Sequence, residues 1–250
     1  MSHCNDHFSA RAGDYARFRP AYPAALVHYL GGLCTGRSLA WDAGTGSGQA
    51  AVALAGAFDH VVATDASAEQ IRHATPHFAV TYARASEARS GLPAASADLC
   101  TAAQAAHWFD LPAYYGEVRR VLRPGGIVAL WCYGAIACDH PEVDAALRWF
   151  YAERVGPWWP PERALVDAGY RTLPFPFDEL ASPAFEMHAS LTAYALLGYV
   201  STWSAVTACT RAEGASPLAE LAARLEGRWP EGASLDMRWP LGLRVGRCGG

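Results

Sequence analysis

The chain has 250 residues, of which 52% are hydrophobic and 18% charged, so it can bury a substantial core and is not a disordered protein. Its formal net charge of −4 argues against the general attraction to phosphate backbones that nucleic-acid binders use. The sequence has neither an apolar run of about 18 residues, long enough to span a membrane, nor a signal-peptide pattern at its start. We therefore expect a cytoplasmic protein with no membrane and no nucleic acid as partner.

The first 135 residues alternate short apolar runs with helical patterns, as the βαβ units of a parallel sheet do. Five strands are predicted, in chain order Leu39–Trp41, His60–Asp65, Val80–Ala83, Asp98–Ala103 and Ile127–Tyr133. Helical sequence is predicted in three places. One segment runs from Gln49 to Ala57, and a second follows an N-cap at Ser67, whose capping box is completed by Gln70. The third has an apolar face of Tyr115, Val118, Val121 and Leu122 and stops at residues 123–126. The first half is therefore expected to be an α/β fold.

The sequence after residue 135 is less regular. Aromatic residues and prolines are frequent over 139–178, helical patterns lie around 191–206 and 217–226, and Met237–Val245 is predicted to be a closing strand. With no internal repeat and no low-complexity linker, we interpret this half as a cap and a completion of the sheet, within a single domain of residues 1–250.

A glycine-rich turn joins the first predicted strand to the first helical segment. Gly44, Gly46 and Gly48 leave room for a ligand to approach backbone N–H groups and a helix N-terminus. The turn also satisfies the looser dinucleotide pattern G-x-G-x-x-A, so NAD, or a tight turn without a ligand, remains an alternative. Asp65 ends the second strand about 20 residues after the turn, where an acid accepts hydrogen bonds from the ribose hydroxyls of an adenosine.

Asp42, directly before the glycines, separates two kinds of adenosine cofactor. S-adenosylmethionine carries an ammonium and a sulfonium, whereas the corresponding part of NAD is an anionic pyrophosphate. An acid at this position attracts the first and repels the second. The sequence therefore favours a methyl donor.

Four segments then carry a family resemblance. They are YARFRPAYP from Tyr15, DAGTGSGQ from Asp42, AAQAAHWFD from Ala102 and VLRPGG from Val121. Together they resemble the methyltransferase type 11 group of class I S-adenosylmethionine-dependent methyltransferases, in particular trans-aconitate methyltransferase-like proteins. The resemblance extends over nearly the full length, through TWSA from Thr202 and WPL from Trp239.

The resemblance implies a Rossmann-like class I fold, with a mostly parallel seven-stranded sheet, helices on both faces and a small cap. Residues 1–36 would be an N-terminal cap segment, 37–135 the donor-binding half, and 136–250 an acceptor cap and the completion of the sheet. S-adenosylmethionine would be the donor and S-adenosylhomocysteine the product. Small molecules, often carboxylates, would be the acceptors.

The resemblance also implies a set of cofactor-binding positions. Asp65 would hold the ribose, Ser86 and Glu87 would lie near the adenine amine, and Gln104 would face the sulfonium end. The full set is Tyr15, Arg19, Asp42, Gly44, Thr45, Gly46, Gln49, Asp65, Ala66, Gln70, Ser86, Glu87 and Gln104.

The acceptor side is predicted at the ends of the fourth and fifth strands, where α/β proteins bind ligands. His107 is the candidate general base, with a structural role beside Trp108 as the alternative. Trp108, Trp131 and Tyr133 are expected to wall the acceptor pocket. A carboxylate acceptor needs no base, whereas a hydroxyl does, and the sequence leaves both open.

The seven cysteines are scattered, without a C-x-x-C pair, which is typical of a reducing compartment. No group of His, Asp and Glu has the spacing of metal ligands, so we expect no metal. The expected function is O-methylation of a small-molecule carboxylate or hydroxyl. The alternatives are N- or C-methylation of a biosynthetic intermediate, an NAD-dependent oxidoreductase, and a domain that binds the donor without catalysis.

Overall fold

The computed structural model describes residues 20–249, in two compact units. The sheet unit comprises Ala21–Gly134, Ala164–Phe185 and the chain from Leu241 on. The accessory unit comprises, in its described part, Pro20, Ala135–Arg163 and Glu186–Pro240. The interpretation of residues 1–250 as a single domain stays a prediction.

Five parallel strands form most of the sheet unit. They are β1 (Leu39–Ala43), β2 (His60–Asp65), β3 (Val80–Arg84), β4 (Ala97–Ala103) and β5 (Leu122–Tyr133), in the spatial order β3-β2-β1-β4-β5. The order reverses direction between β1 and β4, which is the switch point beside which open α/β sheets bind ligands. All five predicted strands are confirmed, with β2 at its predicted bounds.

Two antiparallel strands complete the sheet of this unit. The part of β9 (Leu235–Arg247) from Leu241 onward pairs with β5, and β7 (Asp178–Glu179) pairs with β9. The sheet in this unit is mostly parallel, as predicted, and the described part of the unit holds seven of the nine strands of the sheet, since β6 (Ala137–Cys138) and β8 (Phe185–Leu191) also pair with β9. The predicted closing strand is confirmed and is longer than expected.

The helices of the sheet unit are α1 (Ala24–Leu33), α2 (Gln49–Leu54), α3 (Ala68–Arg72), α4 (Leu111–Val121) and the short α6 (Arg163–Asp167), which begins at the unit's boundary. Ser67 caps α3 as predicted, because its Oγ accepts a hydrogen bond from the backbone N–H of Gln70. Helix α2 ends before the predicted Ala57, in a turn where the N–H of Phe58 donates to the carbonyl of Leu54. Leu122, predicted on the face of α4, is instead the first residue of β5.

The accessory unit contains α5 (Pro141–Trp149), a π-helical turn (Phe150–Arg154), α7 (Ala193–Ser201), α8 (Ser204–Glu213) and α9 (Leu218–Leu225), with β6 (Ala137–Cys138), most of β8 (Phe185–Leu191) and the first part of β9. Its core is aromatic: Trp203 has its ring centroid 5.6 Å from both Trp159 and Tyr151. None of the described helices in either unit is both long and apolar enough to cross a membrane.

Candidate active site

The glycine turn at the end of β1 has a left-handed backbone at each glycine. The φ angles of Gly44, Gly46 and Gly48 are 65°, 56° and 84°, which residues with a Cβ rarely adopt. A Cβ on Gly44 would lie 2.7 Å from the Cβ of Ala105, and one on Gly48 would lie 2.1 Å from the hydroxyl of Tyr82. These two glycines therefore allow close packing within the protein.

Gly46 is different, because among the described residues its missing side chain faces open space. Of those residues, the nearest atom to a Cβ placed there is Oε1 of Gln70, 3.9 Å away. The turn thus leaves a gap between Gly46 and the side-chain amide of Gln70 on α3. A group that approaches the backbone closely fits at this position.

Asp42 is fully buried on β1, and hydroxyl groups hold both of its carboxylate oxygens. Thr45 donates to Oδ2 at 2.6 Å, and Thr101, its register partner on β4, donates to Oδ1 at 2.8 Å. Burial raises the pKa of Asp42 to about 6, although the two hydroxyl hydrogen bonds act in the opposite direction. At neutral pH the group is mostly ionised, so it supplies a negative charge beneath the glycine turn.

Asp65 connects the end of β2 to the turn. Its Oδ2 accepts a hydrogen bond from the N–H of Gly46 at 2.9 Å, and its Oδ1 accepts one from the N–H of Ser67 at 2.8 Å. Asp42 and Asp65 therefore hold the two sides of the same loop. The second acid is only part-buried, so its remaining lone pairs are accessible to hydroxyl donors.

The structure brings several of the other predicted cofactor residues to this edge of the sheet. Thr45 is a buried part of the turn, Gln49 begins α2, Ala66 follows β2, and Gln70 lies on α3 against Gly46. Ser86 and Glu87 follow the carboxyl end of β3. Tyr15 and Arg19 lie outside the described residues.

Gln104 directly follows β4 and has a φ of 53°, a strained value for a residue with a side chain. Its N–H donates to the carbonyl of Trp131 at 2.8 Å, and its Oε1 accepts a hydrogen bond from the N–H of Tyr133 at 3.1 Å. The Gln104 side chain therefore fixes the ends of β4 and β5 relative to each other.

The predicted acceptor residues are of two kinds. Trp131 and Tyr133 are buried at the end of β5, and Trp131 packs edge-to-face against Tyr22 with ring centroids 5.5 Å apart. The indole N–H of Trp131 is buried with no hydrogen-bond partner in the described part of the chain. Trp108, in contrast, is 43% exposed on the short 3₁₀ turn after β4. An unsatisfied buried N–H favours a site that a polar ligand atom completes.

His107, on the same 3₁₀ turn, contacts a residue that the sequence analysis missed. Its Nδ1 lies 2.7 Å from the hydroxyl of Tyr170, and its ring lies beside that of Trp108 with centroids 4.8 Å apart. No sequence signal pointed to Tyr170, which is 63 residues further along the chain. Thr101 was also missed, although its pairing with Asp42 follows once β1 and β4 are known to be neighbours. The described residues contain no group of three or more His, Cys, Asp or Glu side chains arranged to hold a metal ion.

Comparisons with known proteins agree with this geometry. The sequence family described as a methyltransferase domain matches residues 41–130, from β1 to β5. A Dictyostelium discoideum protein named as a methyltransferase is 34% identical over 220 residues, which cover 87% of this chain and 84% of that protein. A Mycobacterium tuberculosis protein, named as an uncharacterized methyltransferase, is 32% identical over 203 residues, covering 79% of this chain and 76% of its own length.

A solved structure of a protein from Anaeromyxobacter dehalogenans, described as a type II methyltransferase, is also similar. Its TM-score is 0.88 at 48% sequence identity, covering 93% of this chain and 99% of that one. The sheet order and the glycine turn define a Rossmann-like α/β fold, in which ligands bind at the switch point. The chain belongs to the class I S-adenosylmethionine-dependent methyltransferases.

Family membership confirms the predicted fold and enzyme class and removes the NAD-dependent oxidoreductase alternative. The trans-aconitate methyltransferase-like subtype stays a prediction, as do the roles of the individual site residues.

Proposed function

We propose that this methyltransferase transfers a methyl group to an oxygen atom of a small-molecule carboxylate or hydroxyl compound. The observation that carries the donor half of the proposal is the gap at Gly46, whose N–H binds Asp65 and whose neighbour Thr45 binds Asp42. A cationic adenosyl compound needs space beside the backbone, a nearby negative charge and an acceptor for its ribose hydroxyls. The residues of this turn fit all three requirements.

In this proposal each side chain at the donor edge has its own role. Asp42 supplies the field that attracts the positive charges of the donor, and Asp65 accepts the ribose hydroxyls. Gln70, Ser86 and Glu87 border the adenine, while Gln104 faces the sulfonium end. Tyr15 and Arg19, outside the described residues, are also proposed to bind the donor.

When bound, S-adenosylmethionine supplies a methyl group that positive sulfur has already activated. The protein then has to align the acceptor oxygen with that methyl group and exclude water, and such alignment is worth several kcal/mol, on the order of 7–11 at best. Trp131 and Tyr133 at the end of β5, with Trp108 on the 3₁₀ turn, are proposed to wall the acceptor pocket. His107 is proposed to contact the acceptor oxygen.

The donor half is tested by calorimetric titration of the purified full chain with S-adenosylhomocysteine. We expect one site with micromolar or tighter affinity, and a folded protein that releases no heat would refute the proposal.

The acceptor half is tested with a methyl-labelled donor and a matched set of acceptors, in which one carbon skeleton carries a carboxylate, a hydroxyl or an amine. A methyl ester releases labelled methanol in mild base, whereas methyl ethers and methylamines do not. Label transfer to the oxygen acceptors is expected, and base-stable label on the amine alone would instead establish the N-methylation alternative.

A further inference from the structure

Tyr170 is a buried side chain that faces the 3₁₀ turn after β4. Its ring is fully buried, its hydroxyl lies 2.7 Å from Nδ1 of His107, and the two ring centroids are 5.9 Å apart. Both residues belong to the sheet unit. The pair therefore lies in the same unit as the end of β4.

The backbone of Tyr170 is held in a conformation that a tyrosine does not adopt by preference. Its φ is 59°, in the left-handed region, which costs a residue with a Cβ roughly 1–2 kcal/mol. Its N–H donates to the carbonyl of Leu165 at 2.9 Å, and its own carbonyl accepts a hydrogen bond from Arg244 at 3.4 Å. Both main-chain polar groups of Tyr170 are thus bound, which maintains the strained turn.

Two glycines bring this turn onto β9. A Cβ on Gly242 would lie 2.4 Å from the Cα of Gly169, the residue before Tyr170. The absence of a side chain at Gly242 permits this close approach, which holds the turn that carries Tyr170 against β9. The backbone of Tyr170 is therefore fixed where its side chain reaches His107.

The hydroxyl of Tyr170 has one proton to donate, and its partner among the described residues is Nδ1 of His107. Burial raises the pKa of Tyr170 well above its ordinary value, so the hydroxyl stays protonated, while the backbone N–H groups of His107 and Ala106 act in the opposite direction, as dipoles directed at its oxygen do. A buried O–H needs a hydrogen-bond acceptor, and Nδ1 of His107 lies within reach of the Tyr170 hydroxyl at 2.7 Å. The proton of Tyr170 is then directed to Nδ1, because a neutral imidazole has one nitrogen that accepts and one that donates.

We propose that Tyr170 is a positioning residue that fixes neutral His107 with its proton on Nε2, so that His107 donates a hydrogen bond to the methyl acceptor and does not remove a proton from it. This inference rests on the proposed function and narrows its substrate class to carboxylates. A carboxylate oxygen arrives deprotonated: it forms the new C–O bond, the electron pair of the broken S–C bond stays on sulfur, and no proton changes place. A donor at Nε2 orients such an anion, whereas a hydroxyl acceptor needs the opposite tautomer, with a free lone pair there.

The test is the ¹⁵N spectrum of the full chain labelled at histidine, recorded at pH 8. The His107 signals are assigned as those absent from His107→Gln, and ring-nitrogen shifts distinguish the Nε2–H from the Nδ1–H tautomer. We expect the Nε2–H form in the wild type and a mixture in Tyr170→Phe, which keeps the buried ring. Tyr115→Phe is the matched control, since it removes another hydroxyl of the sheet unit, bonded to the carbonyl of Pro174 at 2.7 Å, without touching His107.

An Nδ1–H tautomer in the wild type would overturn the inference without any variant, and so would a Tyr170→Phe spectrum identical to that of the wild type. As a second measurement, His107→Gln keeps an N–H donor near the position of Nε2 and should retain kcat with a carboxylate acceptor within about tenfold, whereas His107→Ala should lose more than that. Equal losses in the two variants would also count against the inference. The tautomer is measured without donor or acceptor, so the two failures can be told apart. A wild type that does not bind S-adenosylhomocysteine would refute the proposed function, whereas the ¹⁵N spectrum alone decides the tautomer of His107.

Discussion

Two parts of one sheet edge are built in different ways: the glycine turn after β1, which we propose binds the donor, and the residues after β4 and β5, which we propose bind and orient the acceptor. The glycine turn reaches its left-handed conformations with glycines, at Gly44, Gly46 and Gly48. The second part reaches them at Gln104, proposed to face the sulfonium end of the donor, and at Tyr170, proposed to position His107, and both side chains make specific hydrogen bonds. Glycines make space beside a backbone, whereas strained side chains place functional groups. The first part is suited to accommodating a cofactor and the second to orienting a reactant.

The proposed difference between the two parts is tested most directly by filling the space at Gly46. In Gly46→Val a side chain occupies the gap, so we expect no calorimetric binding of S-adenosylhomocysteine at concentrations that saturate the wild type. Any side chain at Gly46 also strains the backbone, which lowers stability. Comparing Gly46→Ala with Gly125→Ala separates this strain from the loss of donor binding. Gly125, at the amino end of β5, has a φ of 73°, and of the residues that the structure describes only Arg247 lies near an added Cβ, at 4.0 Å.

Both alanine variants should therefore lose about 1–2 kcal/mol of stability in denaturant titrations. Only the variant at Gly46 should lose donor affinity. Equal affinities in the two would remove the gap from the donor site and leave the turn as a purely structural feature.

The second test concerns Asp65. Asp65→Ala removes hydrogen bonds worth about 1.5–3 kcal/mol, so the dissociation constant for S-adenosylhomocysteine should rise roughly 10- to 100-fold while the far-ultraviolet circular dichroism stays unchanged. Glu69→Ala is the control, because Glu69 is an acid on the adjacent helix α3 that binds Arg72 and His73 instead of the turn. Similar losses in both variants would mean that net charge, and not the position of Asp65, sets the affinity.

The third test uses the buried charge of Asp42. Its pKa is raised from 3.8 to about 6 in the folded protein, so folding favours the protonated form. Stability from this group is present at low pH and is lost as the pH rises through about 4–6, and Asp42→Asn should remove that loss, adding up to about 3 kcal/mol at pH 8. Donor affinity of Asp42→Asn should change in the opposite direction and fall about tenfold at pH 8. In the wild type, donor affinity should weaken as the pH falls below 6.

Asp98 provides the contrast for Asp42. It is also buried, on β4, but it binds the N–H groups of Ser38 and Leu39 and the guanidinium of Arg123 at the opposite edge of the sheet. Asp98→Asn should lower stability in urea titrations and leave donor affinity within twofold. A destabilised Asp42→Asn, or unchanged affinity in it, would show that the Asp42 charge serves the fold and not the donor.

The contrast between the glycine turn and the residues after β4 and β5 also explains how much of the site could be predicted from the sequence. The glycine turn is local, because residues 42–48 are contiguous and Asp65 and Ser67 follow at the next strand end, so glycine spacing and strand ends located it. The second part joins residues 104–108, 131–133 and 170, which only tertiary packing brings together. Tyr170 left no pattern in the sequence, since its position depends on the approach of Gly169 to Gly242. The π-helical turn at Phe150–Arg154 was missed for a similar reason, because periodicity does not distinguish it from the end of α5.

The last test compares two helix N-caps, of which only one holds a helix beside the glycine turn. Ser67 caps α3, the helix whose Gln70 lies beside Gly46, whereas Thr192 caps α7 in the accessory unit with the same kind of bond, its Oγ1 accepting from the N–H of Ala195. Each Ser67→Ala or Thr192→Ala change should cost about 1 kcal/mol of stability. Only Ser67→Ala should also weaken S-adenosylhomocysteine binding, by about two- to threefold, because frayed residues of α3 no longer hold the amide against the gap. Competition calorimetry resolves a change of this size, and equal affinity in the two variants would mean that α3 borders the turn without contributing to the cofactor site.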